Sequence, residues 1–221
     1  MKVLVVGASR GIGREFVLQY LAEPAQVTAT ARRPEEVTEL EALGATAFPL
    51  DVADAVSASG VAWRTDSAGF DVVVLNAGVY GPRTGGLETP TEAEFDAVMH
   101  TNVLGAMRVI PQLADALAPG ARLAVLSSRM GSIGSRTASD GWLYRASKAA
   151  LNSVLKDASL LYAGQVTCVA LHPGWVQTDM GGPQAELTPQ RSVANMRRTI
   201  AALGPAQNGS FLDHDGTPIS W

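Results

Sequence analysis

The chain has 221 residues, of which 47% are hydrophobic and 17% charged, and its 17 basic and 21 acidic side chains give a formal net charge of -4. This length favours one domain, and the acidic balance argues against a nucleic-acid-binding surface, which requires clustered positive charge. No apolar run approaches the roughly 20 residues of a membrane-spanning helix, no charged leader precedes the first strand pattern, and Cys168 is the only cysteine, so we expect a cytoplasmic protein without disulfides.

Short apolar runs alternate with longer amphipathic stretches along the whole chain. Most of the short runs are continuously apolar, which is typical of strands covered on both faces in a parallel sheet. The predicted strands span residues 2–6, 26–31, 46–50, 71–75, 122–127, 165–171 and 209–212. The predicted helices span residues 13–22, 34–43, 52–63, 91–117, 143–163 and 188–203. Repeated β–α–β units predict an α/β fold of the Rossmann type, a doubly wound, mostly parallel seven-stranded sheet with helices on both faces.

A glycine-rich turn joins the first predicted strand to the first predicted helix, in the run Gly7-Ala8-Ser9-Arg10-Gly11-Ile12-Gly13. Glycine there permits a tight turn and brings the backbone close to a diphosphate, while the helix N-terminus offers free N–H groups. An ordinary strand-to-helix turn is the alternative, but the position at the first strand–helix junction favours nucleotide binding. We therefore predict one NAD(P)(H)-binding domain over residues 1–221. The substrate site is expected to be built from the C-terminal segments of this domain. The residues predicted to contact the cofactor here are Gly7, Ser9, Arg10, Gly11, Ile12 and Gly13.

The end of the second predicted strand indicates which dinucleotide is bound. An NAD site commonly has an acidic residue there, whereas this strand ends in Arg32-Arg33, with no acid until Glu35. A guanidinium holds a 2′-phosphate through paired charge-assisted hydrogen bonds, and Arg10 could contact the same phosphate from the other side. The alternative is that Arg32 and Arg33 are solvated residues that cap the next helix. The pattern favours NADPH over NADH, with Arg32 as the predicted ligand.

Two residues after the third predicted strand are expected beside the adenine. Asp51 is placed to accept a hydrogen bond from the adenine amino group, and Val52 follows it. A helix N-cap is an equally good interpretation of Asp51.

Tyr144 and Lys148 stand four residues apart on the fifth predicted helix, and therefore on one face of it. A phenol has a pKa near 10, but a neighbouring cation favours the phenolate and lowers that pKa. Such a tyrosine gives a proton to a carbonyl oxygen when a hydride reaches the carbon, or takes it back in the reverse reaction. The pair therefore predicts redox chemistry between a carbonyl and an alcohol.

Taken together, these motifs resemble the short-chain dehydrogenase/reductase family over essentially the whole chain. The residues that carry the resemblance are the glycine turn, Asn76-Ala77-Gly78, Asn102, Ser127-Ser128, Tyr144 with Lys148, and Pro173-Gly174. The resemblance implies that Ser128 bonds the substrate oxygen, Tyr144 is the general acid/base, Lys148 binds ribose and tunes Tyr144, and Asn102 holds a water that relays the proton. It also implies cofactor contacts from Asn76, Ala77, Gly78, Tyr144, Lys148, Pro173, Gly174, Val176 and Thr178.

The chain departs from the common family pattern at three places. Val6 stands where Thr is usual, and Leu75 stands where a first Asn is usual; both changes are expected to cost local hydrogen bonds only. The interval from Ser128 to Tyr144 is longer than usual, which leaves Ser127 and Ser128 as alternative catalytic serines. Ser128 is favoured because a glycine follows it three residues later.

The segments around the second half of the chain are similar to the C-factor and sniffer-type carbonyl reductase branch of the family. The similar segments are Met130-Gly131-Ser132-Ile133, the run from Tyr144 to Asn152, the run from His172 to Gly182, and the tail from Gly209 to Trp221. That branch implies NADPH-dependent reduction of carbonyls. An NADP(H)-binding signalling or regulatory protein with little turnover is the alternative.

Four residues near the expected site are candidate walls of an apolar substrate pocket, although each could instead fill core: Tyr80, Trp142, Trp175 and Met180. The short segment 181–187, the usual substrate lid of the family, suggests an open site for small carbonyl compounds. The three histidines lack metal-ligand spacing, so no metal site is expected. By analogy with the family, a homodimer or homotetramer could form through helices 91–117 and 143–163.

Overall fold

The computed structural model describes all 221 residues and contains a single seven-stranded sheet in the order β3-β2-β1-β4-β5-β6-β7. Every neighbouring pair of strands is parallel. The strands are β1 (Lys2–Val6), β2 (Gln26–Ala31), β3 (Thr46–Pro49), β4 (Phe70–Leu75), β5 (Leu117–Leu126), β6 (Thr167–His172) and β7 (Ser210–Asp213). The helices are α1 (Gly11–Leu21), α2 (Pro34–Ala42), α3 (Ala55–Ser59), α4 (Val61–Arg64), α5 (Glu92–Met99), α6 (Gly105–Gln112), α7 (Trp142–Leu161) and α8 (Pro189–Ala202). The predicted α/β, doubly wound fold is confirmed.

Helices cover both faces of the sheet, so successive strand residues enter opposite cores. In β4, Val72 and Val74 pack with α1, α2 and α8, whereas Val73 and Leu75 pack with α6 and α7. This two-sided burial explains why the strands are continuously apolar in sequence. No helix has the length and apolarity needed to cross a membrane.

Two predicted helices are interrupted in the structure. Residues 52–63 form two short helices, because Asp54 caps α3 through the Ser57 N–H and Gly60 separates α3 from α4. The predicted helix 91–117 was wrong beyond residue 112: a π-helical turn, His100–Leu104, lies between α5 and α6, and β5 already begins at Leu117. A π turn inserts an extra residue into the helical repeat and is frequent at functional sites.

The strand order reverses at β1, which pairs with β2 on one side and with β4 on the other. In open α/β sheets, ligands bind beyond the carboxyl ends of the strands at this reversal. The glycine turn after β1 and the Asn76-Ala77-Gly78 segment after β4 therefore lie next to each other there.

Candidate active site

A cleft of about 440 Å³ runs along the carboxyl edge of the sheet at the point where the strand order reverses. Fifteen residues predicted to bind a cofactor line it: Gly7, Ser9, Arg10, Gly11, Ile12, Arg32, Asp51, Val52, Asn76, Ala77, Gly78, Tyr144, Lys148, Pro173 and Thr178. The other lining residues are Ala31, Leu50, Val79, Thr101, Leu126, Ser127, Gln177, Asp179 and Met180. Gly13, Gly174 and Val176, also predicted, do not line the cleft.

Two glycines of the turn are needed for close packing beneath the cleft. Gly7 has a φ of 83°, and a Cβ built there would lie 2.8 Å from the backbone of Ala77. A Cβ on Gly13 would lie 2.2 Å from the carbonyl oxygen of Gly7, which already accepts a 2.5 Å bond from the Asn76 side chain. Only glycine allows α1 to start this close to β1 and β4.

The adenine end of the cleft separates the two neighbouring arginines. Arg33 forms ion pairs with Glu35 and Glu36, and its backbone N–H donates a hydrogen bond to the Glu36 carboxylate. Arg33 is therefore the residue that caps α2. Arg32 lines the cleft, is exposed and has no acidic partner. The two alternatives for these arginines therefore apply to different residues: Arg33 caps the helix and Arg32 remains available to a ligand.

Asp51 lies in the cleft and also stabilises the loop after β3. One carboxylate oxygen accepts the Ala53 N–H at 2.9 Å, and the Asp51 N–H donates to Ser57 Oγ at 2.9 Å. The N-cap of α3 is Asp54, so the N-cap interpretation of Asp51 does not hold.

At the other end of the cleft, α7 holds Tyr144 and Lys148 on its buried face. Burial raises the pKa of Tyr144 to about 12, although a hydrogen bond with Ser128 opposes that rise. Burial likewise lowers the pKa of Lys148 to about 8. The Lys148 Nζ lies 5.6 Å from the centre of the Tyr144 ring and donates to the Leu126 carbonyl at 2.9 Å. In the free protein at neutral pH, the phenol is therefore protonated and the amine is mostly charged.

The two candidate serines after β5 have different partners. Ser127 Oγ donates to the Asn152 side chain at 2.5 Å and lies against α7. Ser128 Oγ accepts the Met130 N–H at 3.1 Å at the start of a short 3₁₀ turn, and the Ser128 hydroxyl opposes the rise in the pKa of Tyr144. Ser127 lines the cleft, whereas Ser128, the favoured serine, is the one that acts on the pKa of Tyr144.

Asn102 lies in the π-helical turn and is almost fully buried. Its side chain accepts the Val79 N–H at 2.8 Å and donates to the Val79 carbonyl and to Ser147 Oγ, at 2.8 and 2.9 Å. A Cβ on Gly78 would lie 3.3 Å from both Asn102 Oδ1 and Lys148 Nζ, so these two atoms flank the same glycine. The extra residue of the π turn helps to bring Asn102 to this position.

The segment after β6 folds over the cleft as a compact loop. The Gln177 N–H donates to the Leu187 carbonyl at 2.8 Å, and Thr178 Oγ1 accepts the Gly181 N–H at 3.2 Å. From one side, Arg10 forms a 2.8 Å ion pair with Asp179, and from the other Arg83 donates to the Met180 carbonyl at 2.6 Å. These two contacts attach Asp179 and Met180, which directly precede the short lid segment 181–187, to opposite sides of the cleft.

The four predicted pocket residues are placed differently. Tyr80 stacks on Tyr144 with ring centres 4.5 Å apart, and Met180 lines the cleft. The indole N–H groups of Trp142 and Trp175 donate to the carbonyls of Glu88 and Gly181. The structure thus brings Tyr80 and Met180 to the site, while both tryptophans brace loops around it.

Comparison with known proteins shows to which family the chain belongs. A family model described as short chain dehydrogenase matches residues 1–188. The chain belongs to the short-chain dehydrogenase/reductase family. It is 43% identical over 155 residues to the C-signal of Myxococcus xanthus, covering 68% of this chain and 92% of that protein.

Solved structures of other family members superpose over the full length of this chain. Carbonyl reductase Sniffer of D. melanogaster is 31% identical with a TM-score of 0.87, and covers 100% of this chain and 99% of its own. A carbonyl reductase from Pseudomonas aeruginosa PAO1 in complex with NADP is 31% identical with a TM-score of 0.86, with the same coverage. These likenesses confirm the resemblance to the carbonyl reductase branch.

Several residues in or beside the cleft were not predicted from the sequence, among them the polar residues Gln177, Asp179 and Arg83. Gln177 and Asp179 were missed because nothing local distinguishes a loop residue that faces a cleft from one that faces water. Arg83 stands in a glycine-rich loop, and its contact with Met180 joins residues 97 positions apart. The opposite charges of Arg10 and Asp179 were visible, but their pairing depends on how β6 is placed in the sheet.

Proposed function

We propose that the protein is an NADPH-dependent oxidoreductase that reduces a ketone or aldehyde to an alcohol, or catalyses the reverse reaction. The observation that carries the proposal is the position of Tyr144 in a glycine-lined cleft, with the Lys148 cation one helical turn away and 5.6 Å from the centre of its ring. The family members described as carbonyl reductases support the same reaction.

The cleft fits a nicotinamide dinucleotide. The first turn of α1 has no side-chain cap, so its N–H groups are available to a diphosphate, and Arg32 is available to a 2′-phosphate. The Arg10–Asp179 ion pair is exposed by 72% and 76%, and such a pair contributes little stability, so a phosphate could take over Arg10. Asp51 would face the adenine, and Lys148 the nicotinamide ribose. When bound, NADPH supplies the hydride that reaches the carbonyl carbon.

The chain's own residues would handle the proton and the substrate oxygen. Ser128 holds the carbonyl oxygen through its hydroxyl, and Tyr144 Oη gives its proton to that oxygen as the C–O double bond becomes a single bond. The phenolate left on Tyr144 is stabilised by the neighbouring Lys148 cation. Asn102 would hold the water through which the tyrosine regains its proton.

Arg32→Glu is expected to weaken NADPH binding by at least about 100-fold and NADH binding by less than about threefold. The reason is that a charge-assisted pair with the 2′-phosphate is replaced by repulsion, and NADH has no such phosphate. Titration followed by quenching of tryptophan fluorescence measures both constants. Arg33→Glu is the matched control, since Arg33 pairs with Glu35 and Glu36 and should leave the cofactor preference unchanged. Equal losses for both cofactors in Arg32→Glu would show that Arg32 does not select NADPH.

The reductive reaction is expected to slow as the pH rises through about 8. Because burial lowers the pKa of Lys148 to about 8, the amine is charged below that pH and neutral above it, whereas Tyr144, with its pKa raised to about 12, stays protonated throughout. The phenolate that forms on proton transfer then lacks its cation. Initial rates from pH 6 to 10 measure this profile. Lys148→Arg, which keeps its charge, should extend the plateau, and a wild-type profile that stays flat to pH 10 would contradict the role of Lys148.

The function itself is tested by adding a panel of aromatic aldehydes, ketones and quinones to the NADPH complex and recording NADPH oxidation. We expect micromolar or tighter NADPH binding and turnover of at least one member of the panel. Tight binding without turnover would contradict the reductase proposal.

A signalling or regulatory role is the second candidate, favoured by the 43% identity to the C-signal of Myxococcus xanthus. That role would require cofactor binding but no turnover, so the same panel distinguishes it from the reductase. We also propose a cytoplasmic location, from the sequence pattern, and a homodimer or homotetramer, by analogy with the family.

A further inference from the structure

The segment that follows Ser128 is held at both ends by the last part of the chain. Beside Ser128, the Arg129 guanidinium forms an ion pair with the carboxylate of Asp213, the last residue of β7. Further along, Ser132 Oγ donates to the Ser220 carbonyl at 2.6 Å. The Gly134 N–H then donates to the Trp221 carbonyl at 2.8 Å.

The other side of the same segment packs directly on the helix that holds the tyrosine. A Cβ on Gly131 would lie 2.8 Å from both the carbonyl carbon and the Cβ of Lys148. The turn that begins at Ser128 is therefore enclosed between α7 and the final segment of the chain.

The final segment of the chain is in turn attached to β7, the edge strand of the sheet. The Ile219 N–H donates to the Phe211 carbonyl at 2.8 Å, and Trp221 stacks on Phe211 with ring centres 5.5 Å apart. The Asp213 side chain is only 14% exposed, and its other carboxylate oxygen accepts the His214 N–H at 2.8 Å. Asp213 is thus a rigid anchor rather than a mobile surface acid.

Three other charged or titratable groups surround Asp213. Arg129 is the paired cation, and His214 Nε2 lies 3.8 Å from the carboxylate. The last is His172, which pairs with Asp213 in the β6–β7 register and whose pKa burial lowers to about 4, so that its imidazole is neutral at pH 7. Arg129, the residue that follows Ser128, is therefore the permanently charged cation that pairs with Asp213.

We infer that Asp213 is a positioning residue: through its ion pair with Arg129 it sets the place of the Ser128 hydroxyl opposite Tyr144, while Ser132 and the final segment fix the far end of the turn. This inference rests on the proposed function, in which Ser128 holds the carbonyl oxygen. A shift of about 1 Å in such a group can reduce the rate of the chemical step by as much as about 100-fold.

The test compares Asp213→Asn, Arg129→Gln and the double variant, with a substrate from the panel that the wild type turns over. Each single variant should lose about 10- to 100-fold in kcat, with the NADPH dissociation constant and the melting temperature little changed. Because both changes break one ion pair, the double variant should lose no more than either single variant. Arg129→Lys should recover most of the activity, and Glu23→Gln, which breaks the 2.6 Å Arg197–Glu23 pair elsewhere, should have no effect.

Wild-type kcat in Asp213→Asn or Arg129→Gln, or losses that multiply in the double variant, would overturn the inference. Ser128→Ala separates this failure from that of the function. If Ser128→Ala loses turnover while Asp213→Asn keeps it, the reductase proposal stands and only the positioning role falls. If the wild type shows no turnover, both fall together.

Discussion

Tyr144→Phe is expected to reduce carbonyl turnover by about 1000-fold, which is within the range for loss of a general acid. In the proposed reaction the Tyr144 phenol gives the proton, and burial, which raises the pKa of Tyr144 to about 12, keeps the hydroxyl protonated at neutral pH. The NADPH dissociation constant should change by less than about threefold, since the ring and its 4.5 Å stack on Tyr80 remain. Steady-state rates and tryptophan quenching measure the two quantities.

Tyr162→Phe is the matched control. Its hydroxyl, which donates to the Ile110 carbonyl at 3.1 Å on the same helix-covered side of the sheet, lies outside the cleft. Its loss should cost about 1 kcal/mol of stability and leave turnover unchanged. Near-normal turnover in Tyr144→Phe would show that the proton comes from another group.

Lys148→Met is expected to lower kcat/KM by about 100-fold or more while raising resistance to unfolding. The cation 5.6 Å from the Tyr144 ring is lost, and with it the stabilisation of the phenolate and a ligand for the ribose. In the folded protein, burial disfavours the charged amine strongly enough to lower its pKa from 10.5 to about 8, and an apolar side chain removes that penalty at pH 7. The lost bond to the Leu126 carbonyl offsets part of the gain.

Urea unfolding at pH 7 and initial rates give the two readouts for Lys148→Met. Lys156→Met, an exposed lysine two turns further along α7, should change neither. A Met variant that keeps wild-type turnover, or one that loses activity only because it is unfolded, would contradict this role of Lys148. A gain in stability with a loss of activity is the pattern expected where a site keeps a strained charge for its chemistry.

The parts of the fold that the sequence predicted correctly are those governed by local patterns. The bounds of β1 and β2 match the prediction because both strands are apolar runs with clear ends. The start of β5 at Leu117 was missed because Pro119 and Gly120 interrupt the apolar pattern. In addition, a register shift separates the pairing of Leu117 with Phe70 from the rest of the β4–β5 ladder. Such a pairing depends on the neighbouring strand rather than on the local sequence.

The candidate site divides in the same way. Tyr144 and Lys148 were found because four-residue spacing on a helix is local, and so was the glycine turn. The different partners of Ser127 and Ser128 were not predicted, because Asn152, which binds the Ser127 hydroxyl, is 25 residues away in the chain. The local sequence does not distinguish Arg32 from Arg33. The structure does, because Glu36 pairs with Arg33 at the start of α2.

The most direct measurement of the proposed reaction is the transfer of deuterium from NADPH carrying two deuterium atoms at C4 of the nicotinamide to the carbonyl carbon of an aromatic aldehyde or ketone. Mass spectrometry of the alcohol formed in a single turnover, in the wild type and in Tyr144→Phe, detects that transfer without depending on product release. We predict deuterium at the carbinol carbon with the wild type, and formation slowed by about 1000-fold in Tyr144→Phe. Tight binding of labelled NADPH with no deuterated alcohol from any carbonyl in the panel would contradict the reductase function.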